Sequence, residues 1–481
     1  MTRSRAARTV FAVAALAFFA KIVLALKTYG TNDVYAYDQF SVWTQYLGVE
    51  LYHFDPLFNH PPSMIYLLHG LARVAFVTGL PFQFWLRVPA IVADAGTLWL
   101  VWKLLGPRVD QRSTFWALVL LAAAPPLILI SGFHGNTDSV VIFFLILCIY
   151  LVQKEASPWA AGAVYGLAHC VKIFPIIVGL LLVLNLKGTA RRTKFCVAAA
   201  LTVIAAWSPF LFQDPHVLVR NVVGYRSSYG MWGLSYVLAR LAEIWPTLSP
   251  LNSAFERLGA YVAVSAAWLV SWRLSHRKTN PSLFAQAGLV FFMFLTISSG
   301  FGVQYLAWLA PWAVELGWGA SALLYAFNGL FLYKVYNYWA EGFPWYLADS
   351  NNIGDWRGYF DYAQVLCWCS VALLAWVAWR RLLPVPSISP KIGWSTAIVA
   401  GLGVIAIVPP QLPMPKPIGQ KFENTVRSIN AESYLELSAL LSHRGRYMES
   451  LETAKRALEL APDAAPEARR IIAIDEAALR K

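Results

Sequence analysis

Charge is the first thing this sequence is short of. Of its 481 residues only 14% are Asp, Glu, Lys or Arg, where an ordinary soluble domain carries about a quarter. Acids are the scarcer sign, 26 against 39 Lys and Arg. There are only five cysteines, Cys148, Cys170, Cys196, Cys367 and Cys369, all inside apolar stretches. With no paired spacing in any loop they read as small buried hydrophobes and say little about redox compartment. Apolar residues also lack a period-two alternation, which excludes an outer-membrane barrel. What fills the sequence instead is hydrophobic, at 58% with 15% aromatic. Such a composition excludes a soluble enzyme, a disordered chain and a collagen-like one.

Apolar runs at 195–212, 282–297, 362–379 and 392–408 each approach the length that crosses a hydrocarbon core of about 30 Å. The expected fold is all-α: a polytopic transmembrane helical bundle of about 10–13 membrane segments, with a small helical domain at its C-terminal end. The formal net charge is +13, but from Phe422 onward the tail holds ten acids and nine bases, so the basic excess lies in the membrane part. It clusters in short loops, at Arg3, Arg5 and Arg8; Lys103, Arg108 and Arg112; Lys187, Arg191, Arg192 and Lys194; Arg273, Arg277 and Lys278; Arg380 and Arg381. The positive-inside rule places these in the cytoplasm. Alternate loops are acidic, with Asp33, Asp38, Glu50 and Asp55 in the first, then Asp138, then Asp214, then Glu341, Asp349, Asp355 and Asp361. Charge therefore reports topology, and no nucleic-acid partner is expected.

Residues 9–26 read as a first span rather than a cleaved leader, because Lys21 and Lys27 interrupt the cleavage region. The span opens a long outer loop, Lys27 to Pro62, and loops of that length are uncommon without a purpose. Residues 63–78 are expected at the outer interface, 84–105 return inward, and 114–131 lead out to the turn His134-Gly135-Asn136-Thr137-Asp138. The stretch 158–186 is too long for one straight span and too short for two, so a hairpin of short helices meeting near Cys170 to Pro175 is expected. Broken helices at depth are tolerated where they face protein or a water-filled cavity. A second polar outer loop runs from Gln213 to Gly233, and the path of 234–257 is left open by Pro246 and Pro250. Further spans follow at about 258–273, 282–298, 304–316, 318–334, 362–379 and 392–408, which puts the C-terminus outside.

Three domains follow: a transmembrane part over 1–408, a proline-rich linker over 409–420 and a soluble helical part over 421–481. Within the last, 431–462 resembles one tetratricopeptide repeat through Tyr434, Leu437, Gly445, Tyr447, Leu451, Ala454, Ala457, Leu458, Leu460 and Pro462, with Ser438 and Ser450 at positions usually Gly and Ala. A lone repeat cannot bury its apolar face, so pairing with 464–480, with the membrane domain or with a protein partner is expected.

Ionisable groups at the membrane are expensive, and each is a functional candidate. Asp33, just past the first span, is placed to act as general base on an acceptor hydroxyl or to hold a divalent cation; Asp38 is its rival. His134, Asn136 and Asp138 share the outer turn, where capping of the next helix is the alternative role. His169 and Lys172 lie in the hairpin, and a lysine there suits an anionic phosphate unless it snorkels to an interface. Arg220 and Arg226 of the second outer loop have the fork geometry for a phosphate or pyrophosphate. Gln304 and Tyr305 open a span, where an aromatic belt is the other reading.

Taken together, Ile130-Ser131-Gly132-Phe133-His134-Gly135-Asn136-Thr137-Asp138-Ser139 and Ala163-Val164-Tyr165-Gly166-Leu167-Ala168-His169-Cys170-Val171-Lys172-Ile173-Phe174-Pro175 resemble the catalytic-subunit family of GPI mannosyltransferase I and related GT-C glycosyltransferases. His60-Pro61-Pro62 and the Gln304-Tyr305, Trp308, Pro311 span are similar too; the resemblance runs from about Thr31 to Pro311. It implies a GT-C fold and a multi-span enzyme that passes a hexose, typically mannose, from a polyprenyl-phosphate donor to an acceptor hydroxyl at the extracytoplasmic face. Asp33 then matches the first-loop aspartate, Asp138 the turn aspartate and Lys172 the hairpin lysine. Two departures stand out: Tyr35 where a second first-loop carboxylate is frequent, and His134 where an arginine is usual. A membrane transporter or lipid flippase is the alternative, for which internal repeats and midplane charges in both halves are expected; a non-catalytic assembly protein is the third. The setting expected is a bacterial inner membrane with the site on its periplasmic side, and a lipid, glycan or protein as acceptor.

Overall fold

The computed structural model describes all residues except Met1, 56–57, Asp110, 278–280, 351–360, 384–421, 463–464 and Lys481. Its helices of ten or more residues, in chain order, are α1 (Arg3–Lys27), α2 (Asn32–Leu47), α3 (Ser63–Thr78), α4 (Phe82–Leu105), α5 (Arg112–Ala122), α6 (Asp138–Gln153), α7 (Pro158–Val171), α8 (Ile176–Asn185), α9 (Thr189–Leu211), α10 (Gly233–Ile244), α11 (Ser249–Ser275), α12 (Leu283–Ile297), α13 (Leu306–Leu316), α14 (Trp318–Trp339), α15 (Asp361–Leu382), α16 (Phe422–His443), α17 (Tyr447–Leu460) and α18 (Ala465–Leu479). Five helical stretches, Arg3–Lys27, Phe82–Leu105, Arg112–His134, Thr189–Leu211 and Tyr362–Leu382, are long and apolar enough to cross a membrane, and α3, α6, α8 and α12 are shorter apolar helices. Large apolar side chains point outward from α1 (Leu16, Phe19), α9 (Leu201, Ile204) and α11 (Tyr261, Leu269), where a bilayer rather than water is the solvent. The protein is an all-α polytopic membrane protein. The span at 392–408 and the proline-rich linker lie outside the described residues.

The hairpin at 158–186 forms as α7 and α8, broken over Lys172 to Pro175. Pro175 has no N–H to give and keeps its predecessor out of the helical region, so the break falls there. Helix α7 packs along α9 through the small-xxx-small pair Gly162 and Gly166. A methyl group on Gly162 would come within 2.2 Å of the Phe195 carbonyl oxygen, which is why no larger residue fits. The open path at 234–257 resolves into α10, a short turn and the start of α11, with Pro250 in the first helical turn, where its missing N–H costs nothing.

Three buried charged residues, Arg87, Lys21 and Asp94, tie α1 and the segment that follows it to α4. Arg87 of α4 is fully buried and donates to the carbonyls of Ala25 (3.2 Å), Thr28 (3.0 Å) and Tyr29 at the end of α1, the orphan acceptors of a helix C-terminus. The chain then turns at Gly30, whose φ is +117° and where a Cβ would collide with the Arg87 guanidinium. Strand β1 (Gly30–Thr31) next pairs in parallel with β4 (Leu347–Ala348), while β2 (Ser228–Tyr229) pairs antiparallel with β3 (Gly300–Phe301). Deeper in the bundle, Lys21 of α1 meets Asp94 of α4 at 2.5 Å, both nearly inaccessible. Asp94 also accepts a 2.6 Å hydrogen bond from Ser131, which lies in the π-helical turn Ile130–His134.

The C-terminal helices α16, α17 and α18 pack on one another. The two departures from the repeat pattern explain themselves: Ser450 Oγ donates to the Ser438 carbonyl at 2.7 Å, and Ser438 Oγ to the Ser450 carbonyl at 3.1 Å, across a close helix crossing. Two of the three expected forms of burial are present, since α16 packs against α18 and also against α2 of the membrane part.

Removing one member of the Lys21–Asp94 pair strands the other in an apolar interior, a loss of about 3–5 kcal/mol. Asp94→Ala should therefore lower the melting temperature in detergent sharply, and Lys21→Met combined with Asp94→Leu should recover most of it. Equal stability of Asp94→Ala and the native protein would show that the pair does not pin α1 to α4.

Candidate active site

Four chain segments far apart in sequence, around Asp33, His134–Asp138, Lys172 and Trp308, meet at one hydrogen-bonded network. Asp33 stands in the first turn of α2 and Asp138 at the first residue of α6, both positions where the helix dipole favours a carboxylate. His134 and Asn136 come from the turn before α6, which is held in place by the Thr31 hydroxyl bonded to the His134 carbonyl at 2.9 Å. Lys172 comes from the α7–α8 break and supplies the positive charge.

Asn136 is the hub. Its Nδ2 donates to Asp33 Oδ2 at 2.7 Å, and its Oδ1 accepts from Lys172 Nζ at 2.8 Å and from the Thr137 amide at 2.7 Å. Lys172 Nζ also binds Asp138 Oδ2 at 2.7 Å, and the other oxygen of Asp138 accepts from the Trp308 indole at 2.6 Å. Trp308 is itself sandwiched between Phe174, 3.8 Å away, and Tyr305, 4.0 Å away. At the outer end His134 Nε2 lies 3.1 Å from Asp33 Oδ2. Asp138 is wholly buried, whereas Asp33 retains 28% of its side-chain exposure and Lys172 15%. The network therefore has a closed end and an open one. Among the described residues both contacts to Asp33 fall on Oδ2, leaving Oδ1 for an incoming hydroxyl. An ammonium has three donors, and two of those on Lys172 are engaged.

Burial pushes the Asp33 carboxyl up, but His134, the Lys172 ammonium and the Asn136 amide outweigh it and hold it at about 2. Asp33 is thus an anion at any physiological pH. Beside it His60, stacked on Tyr37 with ring centroids 5.0 Å apart, is pushed down to about 3 by burial and by Lys172, against the pull of Asp33, so it is neutral.

The remaining expected residues are placed differently. Asp38 does not join the network: it accepts from Tyr29 Oη at 3.2 Å and from Asn430 Nδ2 at 3.4 Å. His169 turns back onto its own helix, 3.1 Å from the Tyr165 carbonyl. Arg220 is exposed and donates to Asn221 at 3.2 Å, and Arg226 is exposed next to Tyr225. The Gln304 side chain folds over Gly302. Among the described residues no three His, Cys, Asp or Glu side chains converge to hold a metal ion. Sequence reasoning passed over Arg87, Asp94 and the indole of Trp308. The first two were detectable as charges inside the apolar stretch 84–105; the third depends on a tertiary contact that no local pattern carries.

The bundle is that of an integral membrane protein, and it holds a partly exposed carboxylate with a lysine-stabilised network behind it. Residues 58–299 match the profile of glycosyltransferase family 87, half of the chain, and the protein belongs to that family. It is a membrane glycosyltransferase. It is similar to GPI mannosyltransferase 1 of Trypanosoma brucei brucei, at 24% identity over 60% of this chain and 73% of that protein. It is also similar to a polyprenol-phosphate-mannose-dependent alpha-(1-2)-phosphatidylinositol pentamannoside mannosyltransferase of Mycolicibacterium smegmatis, at 24% identity over 67% of this chain and 77% of that protein.

Burial raises the Asp38 carboxyl to about 6, partly offset by the bonds from Tyr29 and Asn430. A carboxyl raised in the folded state contributes stability that is complete below the unfolded value near 4 and lost as pH rises through the folded value. Asp38→Asn should therefore be more stable than the native protein at pH 8 and lose that advantage towards pH 4, read from melting temperatures across the range. An offset independent of pH would show that Asp38 does not titrate in this window.

Proposed function

We propose that the protein is a mannosyltransferase that takes mannose from a polyprenyl-phosphate donor and passes it to an acceptor hydroxyl at the extracytoplasmic face. The names of both relatives support the sugar, and that of the mycobacterial one supports the donor class. The observation that carries the reading is the half-open carboxylate of Asp33, one amide away from the Lys172 ammonium.

In this reading the acceptor hydroxyl hydrogen-bonds to Asp33 Oδ1 and transfers its proton there as its oxygen attacks the anomeric carbon. The bond from that carbon to the phosphate oxygen breaks, and polyprenyl phosphate leaves with its electron pair. The third N–H of Lys172 stabilises the growing phosphate charge, while Asp138 and Trp308 fix the lysine. The exposed Arg220 and Arg226 meet the donor head group from the second outer loop. A base held near 2 is weak, so the proton passes to it only as the acceptor oxygen bonds to carbon and grows acidic. Base-rich loops, read as cytoplasmic, support an extracytoplasmic site, which we read as the periplasmic side of a bacterial inner membrane. The acceptor is a lipid, glycan or protein hydroxyl. We read 1–408 as the glycosyltransferase domain, 409–420 as a linker and 421–481 as a tetratricopeptide-like unit.

The test is release of polyprenyl phosphate from polyprenyl-phosphate mannose by the purified protein with host lipids as acceptors. Asp33→Asn should reduce the rate by a factor on the order of 10²–10⁴ with unchanged expression. Native rates in Asp33→Asn would remove Asp33 as the base; release from a glucose or arabinose donor alone would replace mannose.

A further inference from the structure

We propose that the C-terminal helical unit is a clasp that positions the helix bearing Asp33, so that a segment beyond the family-87 match belongs to the catalytic apparatus. The proposal rests on Asp33 acting as the base.

Helix α2 lies in the loop between α1 and α3, with no side-chain cap at its start. A lone helix of 16 residues is marginal in water, so its orientation comes from what packs on it. Its beginning faces the catalytic turn through Asp33; another face meets the C-terminal unit. There Gln39 Nε2 donates to Ser433 Oγ at 2.5 Å and the Trp43 indole to the Ser433 carbonyl at 3.4 Å. Asn430 reaches Asp38 at 3.4 Å, and Arg444 forms an ion pair with Glu50 just past the helix. These contacts run along the later part of α2, from Asp38 to just past its end, and leave its first turn, with Asp33, to the opposite end of the same rigid helix.

The apolar part of the contact has its own residues. Leu437 and Leu441 of α16 are fully buried and belong to a cluster that includes Phe40, Trp43, Leu47 and Leu51 together with Met64, Ile65 and Leu68 of α3. The unit's internal core is a separate set, Leu435, Ala454, Ala457, Ala468 and Ile471. The docking face is therefore distinct from the surfaces that hold α16, α17 and α18 together. A shift of about 1 Å in a catalytic group is enough to cost about a hundredfold in rate, so a unit gripping α2 acts directly on where Asp33 stands.

The experiment uses the full-length protein with Leu437→Glu, which charges the docking face and leaves the internal core intact, and Trp43→Ala on the opposing side. Hydrogen exchange should speed up in α2 while α17 and α18 stay protected. With polyprenyl-phosphate mannose, kcat should fall about tenfold or more with the donor KM unchanged, and the double variant should lose no more than the worse single one. Faster α2 exchange with native kcat overturns the proposal, as does native α2 exchange in Leu437→Glu. Failure of the native protein to release polyprenyl phosphate would instead sink the functional reading, and the exchange measurements would still report whether the unit holds α2.

Discussion

The Asn136 side chain presents its two ends to partners that need opposite things. Asp33 needs a donor that does not neutralise it, and Lys172 needs an acceptor that does not compete for a full counter-charge. A single amide satisfies both, holding anion and cation close without letting them pair. A direct Asp33–Lys172 ion pair would consume both groups in each other's field, leaving little for a substrate. Asp138 takes the lysine's remaining demand from the buried side, at the far end from the opening. The site therefore stores separated charge, and the rest of the architecture serves to keep that separation in place.

The membrane dictates how this is done. A polar cluster at the edge of a hydrocarbon layer is tolerable only if each member has a partner, and the pieces available there are helix ends. Asp33, Asp138 and Lys172 all sit at starts or breaks of helices, where backbone N–H groups and dipole ends are unspent. Arg87 does the same for the carbonyls at the end of α1. Behind the His134–Asp138 turn, the Lys21–Asp94–Ser131 chain anchors the π-helical segment Ile130–His134 to α1 and α4.

Much of this was legible beforehand. Apolar length marked the helices at Arg3–Lys27, Phe82–Leu105, Arg112–His134, Thr189–Leu211 and Tyr362–Leu382, the odd length of 158–186 identified the break at Lys172, and charge asymmetry grouped Asp33, His134, Asn136 and Asp138, which the structure joins in one network. What escaped was long-range. Asp33 and Asp38 are both loop acids five positions apart, and nothing local says that one faces the His134–Asp138 turn while the other is held by Tyr29 and Asn430. The roles of Arg87 and Trp308 likewise exist only once distant helices meet. Ser438 and Ser450 looked like flaws in a repeat; their exchange of hydrogen bonds requires knowing that two helices cross at that point.

The pairing of β1 with β4 has a consequence for biosynthesis. The strand that leads into the Asp33 helix is made near the start of translation, and its hydrogen-bonding partner, Leu347–Ala348, emerges only after most of the bundle has been synthesised. Contacts of such sequence separation close late. A growing chain thus carries Asp33 long before the strand pairing behind its helix can close, and that corner of the fold is completed only once the distal segments are in place.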